Sequence, residues 1–294
     1  MSFGKALSFN KGLIILLKSF KNALDKLFVI GNLKEMSTFL FFCKTSISLP
    51  EKFLKTIEDF QITLKKVEEL SAEEKPLGIL VLGGDGTLLK AVPYAYQFDL
   101  PVIGVNMGKF GFLTEITLEE LALALEKFLE GKALLEERRL LKVTYEEREE
   151  VVLNEGAILK GPFGKSITLN LKINGEDFIE VYGDGLIVST PTGSTAYNLS
   201  AGGPIVHPKV RGFIITPICS FKINHRPFII PEESILEVKL KEGEGEVHLL
   251  LDGRTNWFIE KEKNIIFTTA ERPLKIVPSP TKTYFRILKE KFFW

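Results

Sequence analysis

Residues 79–87 are Ile-Leu-Val-Leu-Gly-Gly-Asp-Gly-Thr, and this stretch decides the fold class. Its four apolar residues predict a buried strand, and the three glycines that follow predict a tight turn where the strand ends. A helical segment begins at about Leu88, and residues 102–105 (Val-Ile-Gly-Val) are typical of another buried strand. A strand, a helix and a second strand in this order form a βαβ unit, so we expect an α/β domain with a parallel sheet.

The chain on the N-terminal side of this unit is less regular. Apolar residues between Leu13 and Leu24 recur at helical spacing and predict an amphipathic helix that covers a core. Residues 27–30, which end at Gly31-Asn32, predict a short buried strand. Residues 51–70 alternate polar and apolar positions as a helix does.

The chain after the unit begins with a further helix. Thr117 and Glu120 predict a capping box, and Gly131 predicts where the helix ends. The apolar residues of this helix that we expect to face inward are Leu118, Leu121, Leu125, Phe128 and Leu129.

From about Glu137 the hydrophobic period changes from helical to strand-like. Residues 167–173 alternate apolar and polar positions, and Asn174-Gly175 predicts a two-residue hairpin turn. Further strand-like segments occupy residues 186–189, 236–240, 247–251 and 265–268. We therefore expect a mostly β domain, and we divide the chain into a helical extension (1–26), an α/β domain (27–135) and a β-rich domain (136–294) whose last residues return to the first domain.

Composition excludes several classes of protein. The 294 residues include 38 basic and 38 acidic side chains, so the chain lacks the diffuse positive field of a general nucleic-acid coat. With 45% hydrophobic residues, disorder is not expected, and no apolar run approaches the ~18 residues of a membrane-spanning helix. Two cysteines, Cys43 and Cys219, cannot form a disulfide framework. We expect a cytoplasmic protein without nucleic-acid or membrane partners.

The glycine-rich stretch is the first candidate site. Gly83, Gly84, Gly86 and Thr87 leave backbone N–H groups free to face a phosphate, and the following helix adds its positive N-terminal end. Asp85 would repel a phosphate unless it binds a metal or accepts a proton from the attacking hydroxyl, and both roles belong to phosphoryl transfer. An ordinary glycine turn capped by an aspartate explains these residues equally well.

A second candidate site follows the strand at 186–189. Residues 190–204 are Thr-Pro-Thr-Gly-Ser-Thr-Ala-Tyr-Asn-Leu-Ser-Ala-Gly-Gly-Pro, and their hydroxyl groups could converge on phosphate or ribose oxygens. The ring of Tyr197 could lie against a base. The alternative is a capped helix that is closed by Gly-Gly-Pro. Asn154-Glu155 and Asp252-Gly253-Arg254 also end strands, but each pattern on its own is more typical of a turn.

Residues 81–89 together with residues 184–208 resemble the ATP-NAD kinases. The GGDGT element is shared with diacylglycerol kinases, sphingosine kinases and, more loosely, phosphofructokinases. The run from Ser189 to Tyr197 followed by Ser200-Ala-Gly-Gly-Pro204 is specific to NAD kinases. Residues 104–106, 111–114, 153–155, 216–219, 226–227 and 252–253 also match. The resemblance covers the chain from about Gly78 to its C-terminus. It implies an α/β domain, Rossmann-like or phosphofructokinase-like, followed by a mostly β, sandwich-like domain.

The resemblance also implies a reaction. The γ-phosphoryl of ATP, or of polyphosphate, would move to the adenosine ribose 2′-hydroxyl of NAD, and Asp85 would be the general base beside Gly86. A divalent metal, normally Mg²⁺, would travel with the triphosphate, and the family usually forms dimers or tetramers. The residues that the resemblance places at NAD are Asn154, Glu155, Asp184, Thr195, Ala196, Tyr197, Asn198, Leu199 and Ser200, with Lys165, Tyr182 and Arg254 as variable contacts.

The chain departs from the family pattern in two places. Before about residue 75 the first strand and its asparagine-containing loop are not evident, and Gly31-Asn32 is the best match. Between Cys219 and Arg226, the residues Ser-Phe-Lys-Ile-Asn-His replace an expected Pro-His pair. Two other functions remain open at this point: a lipid kinase built on the same GGDGT framework, and a non-catalytic regulator that binds a dinucleotide.

Overall fold

The computed structural model describes residues 37–44, 48–108 and 111–293. The helix predicted between Leu13 and Leu24 and the strand predicted at 27–30 lie outside these ranges, as does the expected extension at 1–26. Within the described ranges, no helix has the length and apolar character needed to cross a membrane.

The first sheet has six strands in the order β2-β1-β3-β4-β18-β5. Every neighbouring pair is parallel except β18 and β5, which are antiparallel. The strands are β1 (Ser37–Cys43), β2 (Ile62–Lys65), β3 (Gly78–Gly83), β4 (Val102–Asn106), β5 (Glu136–Arg138) and β18 (Leu274–Val277).

Helices cover both faces of this sheet. Helix α2 (Asp85–Phe98) packs on one face through Leu88, Ala91 and Val92. Helices α1 (Glu51–Asp59) and α3 (Leu121–Leu129) pack on the other face, where their side chains meet those of β1 and β3. Strand β3 is buried along its whole length, which explains why it is continuously apolar. The βαβ unit predicted from residues 79–105 is therefore confirmed.

The prediction of one helix over residues 51–70 was wrong. Helix α1 ends at Asp59, and Gln61 has a left-handed backbone with φ 54°. Strand β2 then pairs with β1, and a short 3₁₀ turn follows at Val67–Glu69. Pairing with a sheet edge outweighs the helical spacing of the apolar residues here.

The reciprocal hydrogen bonds of the predicted capping box are confirmed, but they lie in the turn just before α3, whose own N-cap is Glu120. The Thr117 N–H donates to Glu120 Oε2 at 2.9 Å, and the Glu120 N–H donates to Thr117 Oγ1 at 3.3 Å. Leu121 and Leu125 are fully buried on the inner face of the helix. Gly131 follows the helix with φ +69°, a conformation that glycine adopts without strain.

The rest of the chain forms two antiparallel six-stranded sheets that pack face to face around one apolar core. One sheet, in the order β10-β9-β14-β17-β6-β7, contains β6 (Leu141–Tyr145), β7 (Arg148–Val152), β9 (Ile167–Ile173), β10 (Glu176–Gly183), β14 (Leu236–Glu242) and β17 (Asn264–Thr269). The other, in the order β13-β12-β11-β8-β15-β16, contains β8 (Glu155–Lys160), β11 (Gly185–Ser189), β12 (Gly212–Ile218), β13 (Phe228–Pro231), β15 (Val247–Leu251) and β16 (Thr255–Phe258).

This arrangement confirms the mostly β, sandwich-like part of the predicted fold. The Asn174-Gly175 turn joins β9 to β10 with φ values of 52° and 85°, as a two-residue hairpin requires. Two short helices follow β11: a 3₁₀ helix at Thr192–Thr195 and the one-turn α4 (Tyr197–Ser200). After β18 the chain ends in α5 (Tyr284–Phe292).

Candidate active site

Asp85 lies in the first turn of α2, directly after the carboxyl end of β3. We expected this helix to begin at about Leu88, and that prediction was wrong by three residues. The Gly84 carbonyl accepts hydrogen bonds from the N–H groups of Thr87 and Leu88, so the helical pattern already includes Asp85 and Gly86. An acidic residue in a first helical turn is stabilised by the helix dipole. The polypeptide therefore turns into the helix one residue after the strand ends, and Asp85 stands at the carboxyl edge of the sheet.

The Asp85 carboxylate is held by the segment 112–114. Oδ2 accepts the Phe112 N–H at 2.8 Å, and Oδ1 accepts the N–H groups of Leu113 and Thr114, both at 3.0 Å. Thr114 Oγ1 adds a fourth bond at 3.2 Å. We call Asp85 and residues 112–114 the Asp85 cluster. A carboxylate has about four lone-pair sites on its two oxygens, so Oδ2, with one partner among the described residues, can accept one more proton donor.

Gly111 and Asn106 complete this cluster. A Cβ at Gly111 would overlap Asp85 Oδ1, so only glycine fits at that position. Asn106, at the end of β4, donates to the carbonyl and the hydroxyl oxygen of Thr114 at 3.3 and 3.1 Å. The sequence indicated residues 104–106 and 111–114 as matches to a family but gave them no role. These residues act largely through backbone N–H groups, so the residue types in the sequence do not reveal their role.

A second acidic cluster lies in the β sandwich. Asp252 accepts the N–H groups of Leu153 at 2.9 Å, Asn154 at 2.8 Å and Glu155 at 3.2 Å. Asp252 and residues 153–155 form what we call the Asp252 cluster. The expectation that Asp252-Gly253 is a turn was correct, since both residues have left-handed φ values, of 49° and 62°. The expectation was incomplete, because the Asp252 side chain in this turn also holds the backbone at the start of β8.

Glu155 is the second carboxyl group in this cluster. Its side chain is 7% exposed, and its Oε2 has no hydrogen-bond partner among the described residues. Burial, together with the nearby Asp252 carboxylate, raises the pKa of Glu155 to about 8, although the Tyr197 N–H opposes the rise. Burial also raises the pKa of Asp252, but three N–H bonds and the Arg254 guanidinium oppose that rise. Asp252 has three N–H donors and a guanidinium and Glu155 has one N–H donor, so the charged form is favoured on Asp252 and a proton shared by the pair is favoured on Glu155.

The hydroxyl-rich segment after β11 packs directly on the Asp252 cluster. The Thr190 N–H and the Ser189 hydroxyl both donate to the Asn154 carbonyl, at 2.9 and 3.1 Å. A Cβ at Gly193 would overlap the backbone of Asn154, so this contact requires glycine. The structure thus brings Asn154, Glu155 and residues 190–200 together at one end of β8, as the resemblance implied.

Within this segment the predicted contact residues differ in what they offer a ligand. The Asn198 side chain is fully buried, where it donates to the carbonyls of Ser194 and Pro204 and accepts from Thr216. Its amide therefore stabilises the segment itself. The ring of Tyr197 is 39% exposed and is free to lie against a planar group. Ser200 is also exposed, whereas Thr195, Ala196 and Leu199 are half-buried.

The remaining predicted contacts are not all at this end of the sandwich. In the pairing of β8 with β11, Ser189 lies opposite Glu155, but Gly185 lies opposite Leu159. Asp184, which forms an ion pair with Lys160 at 3.0 Å, is therefore at the other end of these strands, about 16 Å away at 3.3 Å per residue. The residues found at that end are Lys165, whose ammonium pairs with Glu244, and Tyr182, whose ring contacts Phe221 at 4.9 Å.

Arg254 is at the Glu155 end but is already engaged. Its guanidinium pairs with Glu150 at 3.1 Å and approaches Asp252 at 3.7 Å. Its Nε is buried without a partner among the described residues. The geometry favours a role in stabilising the Asp252 cluster.

Among residues 37–44, 48–108 and 111–293, no group of three or more His, Cys, Asp or Glu side chains is placed to hold a metal ion. Mg²⁺ is commonly bound through one or two carboxylates together with substrate phosphates. Asp85 Oδ2 has one lone pair without a partner among the described residues, so it can accept either such an ion or a substrate hydroxyl, but not both.

Known proteins resemble this chain over most of its length. A family model described as the ATP-NAD kinase N-terminal domain matches residues 22–133, and one described as the ATP-NAD kinase C-terminal domain matches residues 153–279. An NAD kinase of Aquifex aeolicus is 38% identical over 273 residues, which cover 88% of this chain and all of the relative. An NAD kinase of Syntrophobacter fumaroxidans is 44% identical over an alignment that covers 74% of this chain and 78% of the relative.

Solved structures agree with these matches. An NAD kinase from Archaeoglobus fulgidus in complex with ATP superposes with a TM-score of 0.70 at 26% identity, over 87% of this chain and 97% of its own. Yeast NADH kinase complexed with NADH has the same fold, with a TM-score of 0.76 at 24% identity over 89% of both chains.

Proposed function

The chain belongs to the ATP-NAD kinase family, and from this premise we propose how its two acidic clusters share the work of phosphorylating NAD. Its activity is that of an NAD kinase, a phosphotransferase that uses ATP and NAD. The observation that carries the proposal is the geometry of Asp85. Its carboxylate is fixed by four hydrogen bonds, and within the part of the chain that the structure describes Oδ2 has a single partner, which leaves it one lone pair at the carboxyl edge of a parallel sheet.

Asp85 is the general base of the proposed reaction. Its Oδ2 accepts the proton of the adenosine ribose 2′-hydroxyl as that oxygen attacks the γ-phosphorus of ATP, and ADP leaves. The carboxylate need not be a strong base, because phosphoryl transfer passes through a loose transition state and depends mainly on position and charge neutralisation. Gly83, Gly84, Gly86 and Thr87 lie at the positive end of α2, where a phosphate is favoured. A Cβ added at Gly84 or Gly86 would meet nothing within 4 Å, so there is room for a ligand to approach the backbone there.

A divalent metal, Mg²⁺ in this proposal, arrives with the triphosphate. The triphosphate oxygens would hold the ion, which would neutralise their charge, because the remaining lone pair of Asp85 Oδ2 is used by the substrate hydroxyl. The chain's own contribution is the orientation of Asp85 and the N–H groups at the start of α2.

The Asp252 cluster binds NAD in this proposal. Asn154, Glu155 and residues 195–200 contact the dinucleotide, with the exposed ring of Tyr197 against one of its planar groups. Glu155 offers a buried oxygen without a partner among the described residues, so a polar group of the ligand can satisfy it. The protonated carboxyl would act there as a hydrogen-bond donor.

A direct assay separates this function from its alternatives. The purified chain receives γ-labelled ATP and Mg²⁺ with NAD, with diacylglycerol, or with neither. We expect label in NADP alone. Label in the lipid would identify a lipid kinase, and calorimetric binding of NAD without any NADP would identify a regulator. A parallel reaction with polyphosphate in place of ATP determines the donor.

The separation of Asp184 from Glu155 supports a homo-oligomer, either a dimer or a tetramer. If both residues contact one NAD, a second copy of the chain would bring its Asp184, Lys165 and Tyr182 to the Glu155 end of the first. Light scattering during size-exclusion chromatography gives the subunit number. Mixing an Asp85→Asn variant with an Asp184→Ala variant tests the shared site. Hybrid oligomers would contain one site with neither substitution, so activity should reappear, whereas activity equal to the sum of the two variants would argue against sharing.

A cytoplasmic location is the last part of the proposal. It is supported by two unpaired cysteines, of which Cys219 is exposed. Cell fractionation followed by immunodetection of the chain tests it.

A further inference from the structure

The segment that holds Asp85 has little support from regular structure. Residues 112–114 form neither helix nor strand, and only a single parallel bridge between Val105 and Ile116 ties the following residues to the sheet. Three consecutive N–H groups must nevertheless point at one carboxylate. Asn106 and the buried Leu113 side chain hold its second half, so the Phe112 end is the part that needs a further support.

That support is the C-terminal segment, which we define as residues 279–292. The Phe292 ring packs on the Phe112 ring with a centroid distance of 5.8 Å, and the Lys291 ammonium lies 5.4 Å from the centroid of the same ring. At the other end of the segment, the hydroxyls of Ser279 and Thr281 both donate to Glu120 Oε1.

A third contact lies between these two. The Ser279 N–H donates to Glu115 Oε2 at 3.5 Å, and Glu115 follows directly after Thr114 of the Asp85 cluster. Glu115 is 5% exposed and also pairs with the buried Arg138 of β5 at 3.6 Å. The C-terminal segment therefore contacts the chain at Phe112, within the stretch that turns around Asp85, and at Glu115 and Glu120 after it.

Helix α5 is itself well anchored, so it can serve as a support. Thr283 caps its N-terminus by accepting the Arg286 N–H, and Ile287 and Leu288 are buried beneath it. The Tyr284 ring contacts His207, in the loop that follows α4, at 4.6 Å. The helix thus bridges the Asp85 cluster and the sandwich.

We propose that Phe292 is a positioning residue for phosphoryl transfer. It holds the Phe112 ring so that the Phe112 N–H occupies one lone pair of Asp85 Oδ2 and leaves the other directed at the substrate hydroxyl. This inference rests on the proposed function. It goes beyond it by placing a determinant of turnover in α5, at a residue that packs on the ring of Phe112.

The test compares three variants of the full chain. Phe292→Ala removes the ring, Phe292→Leu keeps part of the apolar contact, and Phe293→Ala is the matched control, because the neighbouring Phe293 ring is 95% exposed. For each protein, kcat and the KM values for NAD and ATP are measured well below the melting temperature. Hydrogen exchange at the amides of residues 112–114 is measured in parallel.

We expect kcat to fall about tenfold in Phe292→Ala and about threefold in Phe292→Leu, since a small misplacement of a reacting group costs up to about 100-fold in rate. The KM values should stay within about twofold, and the amides of 112–114 should exchange faster. Phe293→Ala should behave as wild type.

Wild-type kcat and wild-type exchange in Phe292→Ala would overturn the proposal, as would an equal loss of kcat in Phe293→Ala. If Phe292→Ala does not fold, Phe292→Leu decides alone: a reduced kcat at an unchanged melting temperature supports the proposal, and a wild-type kcat rejects it. A wild-type chain that forms no NADP would instead refute the proposed function, so the two failures can be told apart.

Discussion

Asp85 and Asp252 make the same kind of contact in two different parts of the molecule. Each follows a buried strand, and each accepts hydrogen bonds from three consecutive N–H groups of a distant segment. Asp85 sits at a helix N-terminus and is half-buried, whereas Asp252 sits in a hairpin turn and is 5% exposed.

Their surroundings determine what each carboxylate can do. Asp85 keeps a lone pair that a ligand can reach. Asp252 faces a second carboxyl group, that of Glu155, and the guanidinium of Arg254. One cluster thus presents a carboxylate for chemistry, while the other uses a carboxylate to fix the backbone of neighbouring binding residues and to raise the pKa of Glu155. Identical hydrogen-bond patterns do not imply identical roles.

The largest expected effect is a loss of turnover, and it distinguishes the Asp85 cluster from the Asp252 cluster. Asp85→Asn should keep the fold and NAD binding but lower kcat by about 10²–10⁴, because the amide cannot take the hydroxyl proton. The measurement is NADP formation, with calorimetry of NAD binding and a thermal melt as controls. Near wild-type turnover in Asp85→Asn would mean that the Asp85 cluster, like the Asp252 cluster, does not take the hydroxyl proton.

Asp252→Asn should act on stability rather than on chemistry. The amide keeps one acceptor oxygen but turns an NH₂ group toward backbone N–H donors, so we expect the free energy of unfolding to fall by about 2–3 kcal/mol. Asparagine tolerates the left-handed backbone of this turn, which excludes a conformational cause. Urea unfolding measures the change. A variant as stable as wild type would show that the three N–H bonds contribute little.

The pH dependence of stability probes Glu155. Its pKa rises from 4.5 to about 8 on folding, so the unfolded chain releases this proton first and stability falls as pH rises between those values. Glu155→Gln removes this contribution, and it should be more stable than wild type at pH 8.5 by at least about 1 kcal/mol, with the difference shrinking toward pH 5. Glu115, whose pKa is raised to about 7 by burial, retains a similar slope in both proteins. Equal stability of the two proteins at pH 8.5 would mean that folding does not raise the pKa of Glu155.

The smallest expected effect is that of Lys165, which lies outside both clusters and serves as a reference. Lys165 pairs with Glu244 at the opposite end of β8, and both side chains are at least 70% exposed. Lys165→Ala should change the free energy of unfolding by less than about 0.5 kcal/mol. A larger loss would assign this surface pair a structural role that its exposure does not suggest.

The sequence predicted those parts of the fold whose cause is local. The apolar run of β3, the capping box at Thr117 and the Asn174-Gly175 turn each depend on a few neighbouring residues, and all three are confirmed. The resemblance to a known family led to Asp85, Asn154 and Glu155. Their proposed roles remain predictions.

Other features depend on contacts between distant residues. The single helix expected at 51–70 gives way to β2 because β1 offers it a partner. Asp252 was expected to be only a turn residue, because its partners are backbone N–H groups almost 100 residues away. Helix α5 supports the Asp85 cluster through the contact between Phe112 and Phe292, and no local sequence pattern predicts such a contact.

The most direct test of the central claim is the position of the transferred phosphate. The wild-type chain is incubated with NAD, ATP and Mg²⁺, and the product is examined by phosphorus NMR and by a dehydrogenase that accepts only NADP. The account predicts a new phosphomonoester at the 2′-oxygen of the adenosine ribose, formed in proportion to the ATP consumed. Consumption of ATP without that phosphomonoester, or a phosphate at another hydroxyl of NAD, would contradict it.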